Sequence, residues 1–237
     1  MKICVTLLLS LAAGLATAAP FDVPASCVDV LTNEDDICSV GGTAADEPGS
    51  FDVETYVLIY PEAGFNTPRE AAEYYFVFDD WQQHYRDGDN DTITIDTREM
   101  SPLEVAAVDG PHTYRRNYFV VDTRLPLIGQ QRVRGVAYYE DVSEPGASTV
   151  TYYHFLAKGD VPVPAGEPLL KDSEGLKKQE GTLSYAACED YDFCEAGDGV
   201  ILLRYKSRLR HEVTILPAIA AGFAAEQMRA LFAGMYF

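Results

Sequence analysis

The sequence predicts an α+β protein in which an antiparallel β-sheet packs against a long C-terminal helix. Three observations support this fold class. Residues 92–212 contain strand-like segments separated by short turns, a strong helix start precedes them at Thr67, and residues 218–237 are apolar except at three positions. Strands joined by short turns indicate an antiparallel meander, and the terminal stretch has the spacing of a packed helix.

The first 18 residues predict a secretory signal peptide. Lys2 supplies the positive charge, an apolar run extends to Leu15, and the Ala-Thr-Ala motif at 16–18 supplies the small residues of a cleavage site. A retained anchor is less favoured, because the apolar run is short for a membrane span of about 20 residues. We expect a secreted or periplasmic chain that begins at Ala19 and keeps no stable membrane anchor.

Residues 19–50 predict a lead-in rather than a folded element. They contain Pro20, Pro24 and a loose glycine-rich run at 41–49, so their only fixed point is expected to be a disulfide loop. The folded domain is expected over residues 51–237.

Four cysteines remain after signal cleavage, and they form two close pairs, Cys27 with Cys38 and Cys188 with Cys194. An even number of cysteines in an exported chain predicts disulfides. Four cysteines allow three connectivities, of which local pairing is the simplest. A zinc site is the alternative, and the spacing and the absence of a nearby histidine disfavour it.

The ordered region begins with a strand over residues 52–60, which is rich in Val, Ile and Tyr and stops at Pro61. A helix follows, because Thr67 can cap it, Pro68 suits its first position and Glu70 completes a capping box. One or two aromatic-rich helices are expected to end before Asp87. The sheet strands are then expected at 92–98, 103–108, 113–123, 131–140, 149–157, 181–187 and 199–212, with residues 159–180 as a long loop or insertion.

The C-terminal stretch begins at Pro217, and only Glu226, Gln227 and Arg229 within residues 218–237 are polar. A transmembrane tail is possible by length. However, the two charged residues near its centre would cost about 2.5–3.5 kcal/mol each in a bilayer. A long helix packed on the sheet is therefore favoured.

The chain is strongly acidic, with a formal charge of −19 at pH 7. This excess repels nucleic acid and anionic membrane surfaces at long range, so we expect no nucleic-acid partner. It suits a protein that works in a salty external medium, where screening reduces self-repulsion.

Over residues 51–237, the order of strand, short helices, antiparallel meander and long terminal helix resembles the START-like superfamily, also called SRPBCC. Asp79-Asp80-Trp81 after the first helix adds to the likeness. The resemblance implies the helix-grip fold, in which a curved sheet grips the helix and leaves an apolar cavity between them. It also implies a binding or carrier protein for a hydrophobic small molecule or lipid, without a cofactor, and the predicted signal peptide makes this an exported protein.

Strand alternation indicates which residues would face such a cavity. Phe119 and Val121 are expected inward, which brings Arg115 and Asn117 to the same side, with Arg115 favoured at the sheet rim. The last strand alternates between an opposite face and a cationic ridge made of Arg204, Lys206, Arg208 and Arg210. We interpret the ridge as a solvated face paired with neighbouring acids, and attraction of an anionic ligand is the alternative. The candidate ligand-binding residues are Arg115, Phe119, Tyr139, Tyr153, Tyr205, His211 and Phe223.

Two other function classes stay open, and no catalytic residue is assigned. A cyclase- or hydrolase-like enzyme would use His154 or His211 with Tyr153 or Tyr205 as general acid and base. A non-catalytic interaction protein would have a core filled by its own side chains. A buried histidine beside a cavity tyrosine favours the enzyme, and an apolar cavity without convergent titratable groups favours binding.

The acidic run at residues 87–91 begins like a calcium loop, with oxygen ligands at alternate positions. It then departs from that pattern, because Thr92 replaces the glycine at the sixth position and Arg98 occupies the twelfth. The run is therefore interpreted as a solvated turn, with weak calcium binding outside the cell as the alternative, and no metal ligand is assigned.

Overall fold

The structure is a computed structural model, and it describes residues 19–33, 35–90, 92–107, 110–125, 129–156, 175–194, 199–212 and 216–237. The predicted signal peptide and residues 159–174 of the predicted insertion lie outside these ranges. The helices are α1 (Ala25–Asn33), α2 (Pro68–Tyr75), α3 (Trp81–Asp87) and α4 (Pro217–Tyr236). The strands are β1 (Ile37–Thr43), β2 (Phe51–Ile59), β3 (Ile93–Ala107), β4 (Gly110–Leu125), β5 (Gly129–Asp141), β6 (Val150–Leu156), β7 (Leu176–Ala187) and β8 (Ile201–His211).

These strands form one curved antiparallel sheet with the order β1-β2-β8-β7-β6-β5-β4-β3. Strands β3 to β8 are a meander, in which each strand pairs with the next. The chain closes the sheet by placing β2 beside β8, so that Asp52 pairs with Arg208, 156 positions later. This arrangement confirms the α+β architecture and the antiparallel meander.

Helices α2, α3 and α4 pack against the concave face of the sheet. The main core lies between these layers and combines sheet residues such as Val57 and Leu203 with Leu231 and Phe232 of α4. A smaller cluster on the opposite face joins Leu31 of α1 to the sheet. No helix in the described part of the chain has the length and apolar character needed to cross a bilayer.

The predicted start of α2 is present. Thr67 caps the helix, since its side chain accepts a hydrogen bond from the Glu70 backbone N–H, and Pro68 occupies the first helical position. The Glu70 carboxylate accepts from the backbone N–H of Asn66, one residue before the cap, at 2.7 Å. The capping residues therefore predicted this helix start correctly. The second bond of the capping box goes to the backbone N–H of Asn66 instead of that of Thr67.

The N-terminal segment is more ordered than its sequence suggests. The expectation that residues 19–50 hold no folded element was wrong, because α1 and β1 lie within them and β1 forms an edge of the sheet. Gly41 of β1 allows close packing, because a Cβ at this position would lie 2.3 Å from the Ala221 carbonyl oxygen of α4. Strand β7 likewise begins at Leu176, inside the predicted long loop.

Both local disulfides are present, between Cys27 and Cys38 and between Cys188 and Cys194. The first joins α1 to β1, and both bridges contribute to the cluster on the convex face. Each closes a short loop and restricts the unfolded chain.

The cationic ridge of β8 lies on the convex face among acidic side chains. Lys206 pairs with Glu54 at 2.6 Å, and Arg208 binds both carboxylate oxygens of Asp52 at 2.7 and 2.9 Å. These pairs are partly exposed, so each contributes little to stability. They support the interpretation of the ridge as a solvated, ion-paired face.

Candidate ligand-binding cavity

A cavity of about 180 Å³ lies between the concave face of the sheet and α4. Its wall on the sheet side comes mainly from β3, β4, β5 and β8, and its wall on the helix side comes from one face of α4. Most of the lining is apolar or aromatic. The residues used below are Tyr75, Trp81, Tyr85, Asn117, Phe119, Val121, Thr123, Ala137, Tyr139, Gln179, Tyr205, His211, Phe223, Ala224, Gln227 and Met228.

Buried polar contacts hold α4 over the cavity. Asn90 donates its side-chain N–H to the Gln227 side-chain oxygen at 2.6 Å, and its own oxygen accepts from the Thr92 backbone N–H. Asn90 is buried, so this part of the predicted solvated turn belongs instead to the packing of α4. Among the described residues, no cluster has the composition of a metal site.

A cluster of aromatic rings fills the part of the concave face beside the cavity. Tyr75, Trp81 and Tyr139 belong both to this cluster and to the cavity wall, so they mark where open space ends. Its neighbouring rings contact each other at centroid distances of 4.8–6.2 Å, mostly edge to face. The members of this aromatic cluster are Tyr75, Phe76, Phe78, Trp81, Tyr139, Tyr152, Phe232 and Tyr236.

The titratable groups of the cavity are neutral at pH 7. Burial raises the pKa of Tyr139 and Tyr205 above the ordinary range and lowers the pKa of His211. Of the described residues that line the cavity, none is an acid, a lysine or an arginine. The cavity therefore suits an uncharged apolar molecule.

Five of the seven candidate residues line the cavity, namely Phe119, Tyr139, Tyr205, His211 and Phe223. Arg115 lies at the rim, where it pairs with Glu73 at 2.5 Å and its guanidinium stacks over the Phe76 ring. Tyr153 lies on the other face of the sheet, near Phe155, with its hydroxyl 3.4 Å from Glu180.

His154 is buried beside a cavity tyrosine without lining the cavity. Its ring stacks on Tyr205 at 5.2 Å, and its Nε2–H donates to the Lys206 carbonyl oxygen at 3.3 Å. Burial lowers the pKa of His154 to about 4. An imidazole of this basicity, screened from the cavity by a tyrosine ring, is poorly placed for acid–base chemistry on a bound molecule.

The burial of His154 predicts a pH-dependent stability. The unfolded imidazole binds a proton below about pH 6.5, whereas the folded one does so only below about 4, so the free energy of unfolding falls as pH drops through this window. We expect a loss of about 2 kcal/mol between pH 8 and pH 5 from this group. His154→Phe should remove that part of the loss, as measured by urea unfolding at both pH values. Equal losses in the two proteins would contradict the assignment.

Sequence reasoning missed two polar members of the cavity wall, Gln179 and Gln227. Gln179 and Gln227 gave no signal beyond being polar residues in otherwise apolar surroundings. Asn117 was placed on the inward face by alternation, although its burial depends on helices from distant parts of the chain.

The chain was compared with family models, curated proteins and solved structures. No protein-family model matches the chain, and no curated protein matches it. Among solved structures it is similar to a STAR-related lipid transfer protein from Xanthomonas axonopodis, with 12% identity over 85% of this chain and 92% of that chain and a TM-score of 0.52. The chain has the START-like helix-grip fold.

The chain is also similar to a second solved structure, the lipid transfer and protein localization domain of human StarD13. It shares 9% identity over 85% of this chain and 83% of that chain, with a TM-score of 0.49. In the chain described here, the cavity lies between the sheet and α4, as the sequence resemblance implied.

Proposed function

We propose that this protein binds and carries a hydrophobic small molecule or lipid in the cavity between the sheet and α4. The observation that carries the proposal is the cavity itself, which is apolar and contains no acid, lysine or arginine among the described lining residues. Burial of an apolar ligand there supplies affinity at about 25 cal/mol per Å². The helix-grip fold that it shares with a lipid transfer protein supports the same function.

The compartment is part of the proposal. Two disulfides in a chain of this size favour an oxidising environment outside the cytosol, and the signal-like residues 1–18 supply a route to it. We infer that the protein carries its ligand in the periplasm or the external medium.

The test is native mass spectrometry of the protein purified from its own host, followed by organic extraction of any bound molecule. We expect an apolar ligand at one copy per chain. The protein freed of ligand should then bind naphthalene saturably, as measured by the fluorescence of the bound molecule. Absence of both results would contradict the carrier function.

A matched pair of variants locates the binding. Ala224 lies in the cavity wall, so Ala224→Phe fills the cavity and should weaken naphthalene binding at least about tenfold. Ala218 is exposed on the same helix, and Ala218→Phe should bind as the unchanged protein does. Equal affinity in both variants would place the ligand elsewhere.

A further inference from the structure

Asn117 is an amide enclosed in an apolar wall. It lies in the middle of β4, paired with Glu99 on one side and Ala137 on the other, and its side chain lines the cavity. Only 1% of the residue is exposed. Neither its side-chain nitrogen nor its side-chain oxygen has a hydrogen-bond partner within the described part of the chain.

An amide in this position is unfavourable for the empty protein. A buried donor or acceptor without a partner costs about 1–3 kcal/mol, and Asn117 presents both. The next inward residues of the same strand, Phe119 and Val121, are apolar, and Ala137 beside Asn117 leaves free space. A bound molecule that supplies the missing hydrogen-bond partner would explain why an amide is present in this apolar wall.

The chemistry of the partner follows from the donor set. An amide donates through its nitrogen and accepts through its oxygen. A hydroxyl group can both accept from that nitrogen and donate to that oxygen. A carboxylate can only accept, and the described lining contains no cation to neutralise it. Thr123 also has an unpartnered, buried hydroxyl, but it lies six positions further along β4, about 20 Å from Asn117.

We propose that Asn117 binds the hydroxyl group of a neutral, otherwise apolar ligand. This inference rests on the proposed carrier function and adds the class of ligand and the residue that orients it. The apolar body of the ligand lies along β4 and α4, and its hydroxyl points toward Asn117.

Three probes with one ring system test the proposal: naphthalene, its hydroxyl derivative naphthol and its carboxylate naphthoate. Affinities are measured for the unchanged protein and for Asn117→Leu, and the naphthol-to-naphthalene ratio is compared between the two. The free energy of hydrating each free probe is the same for both proteins, so it cancels when the two ratios are compared, as in a double-mutant cycle. We expect Asn117→Leu to lower the ratio about tenfold, with naphthalene affinity unchanged or higher. Naphthoate should bind the unchanged protein more weakly than naphthol.

Other outcomes separate this proposal from the carrier function. If naphthalene binds and the ratio is the same in both proteins, Asn117 holds only a structural water, and the proposal fails while the carrier function stands. If Thr123→Val lowers the ratio and Asn117→Leu does not, the hydroxyl lies at the other polar position, and the assignment fails. If no probe binds, the proposal for Asn117 fails, and the carrier function fails with it only if no apolar ligand co-purifies with the protein.

Two further variants serve as a replacement for Asn117→Leu and as a control. Asn117→Ala removes the amide without adding bulk, so it should lower the ratio in the same way if Asn117→Leu does not fold. Thr94→Val changes an exposed threonine on β3 that does not line the cavity, and it should leave both affinities unchanged.

Discussion

Replacing Phe232 by alanine is expected to lower the free energy of unfolding by about 3–5 kcal/mol. Phe232 lies on α4 and is fully buried. Its ring contacts Tyr75 and Tyr236 of the aromatic cluster and also Tyr205 of β8, at centroid distances of 6.0–6.2 Å, so it joins the cluster to the sheet. Alanine would lose this buried area and leave a void that rigid rings cannot collapse to fill. Urea unfolding measures the loss.

Phe237→Ala is the matched control. Phe237 follows α4 directly but is 63% exposed, so its loss should change the free energy of unfolding by less than about 0.5 kcal/mol. Similar effects of the two substitutions would show that the aromatic cluster is not the stabilising centre of the concave face.

Gly234→Ala is expected to destabilise the protein by about 3 kcal/mol, because it separates α4 from α3. A Cβ at this position would lie 1.8 Å from the His84 carbonyl oxygen and 2.8 Å from the Gly88 backbone nitrogen. Both are main-chain atoms, so a helix must shift. The shift would also break the hydrogen bond that the His84 Nδ1–H donates to the Gly234 carbonyl oxygen at 3.1 Å.

Gly222→Ala provides the control on the same helix. A Cβ there meets nothing within 4 Å, so the substitution should stabilise the protein by about 0.5–1 kcal/mol through helix propensity. The midpoint temperature of thermal unfolding should therefore fall for Gly234→Ala and rise for Gly222→Ala. A lowered midpoint for both would mean that helix α4 tolerates no added side chain at either position.

Features that depend on neighbouring residues could be predicted from the sequence. The cap at Thr67, the local disulfides and the start of α4 at Pro217 are fixed by residues a few positions apart. Alternation along β8 correctly separated the paired cations from the concave face, because side-chain direction in a strand has period two.

Features that depend on distant parts of the chain could not be predicted. The glycine-rich strand β1 has little intrinsic tendency to be extended, and its pairing with β2 and the close approach of α4 at Ala221 decide its conformation. The unpaired state of Asn117 likewise depends on which groups α3 and α4 bring to the cavity. The position of Tyr153 on the convex face follows from the register of β6.

The placement of β2 beside β8 has a consequence for the order of folding. The N-terminal part of the chain is synthesised first, and β1 and β2 can pair early because their contacts are local. The central sheet cannot be completed until β8 emerges 156 positions after its partner, with α4 following directly. Contacts of such sequence separation slow folding, because a large loop must close before they form. The cavity between the sheet and α4 is thus assembled only after both β8 and α4 have been synthesised.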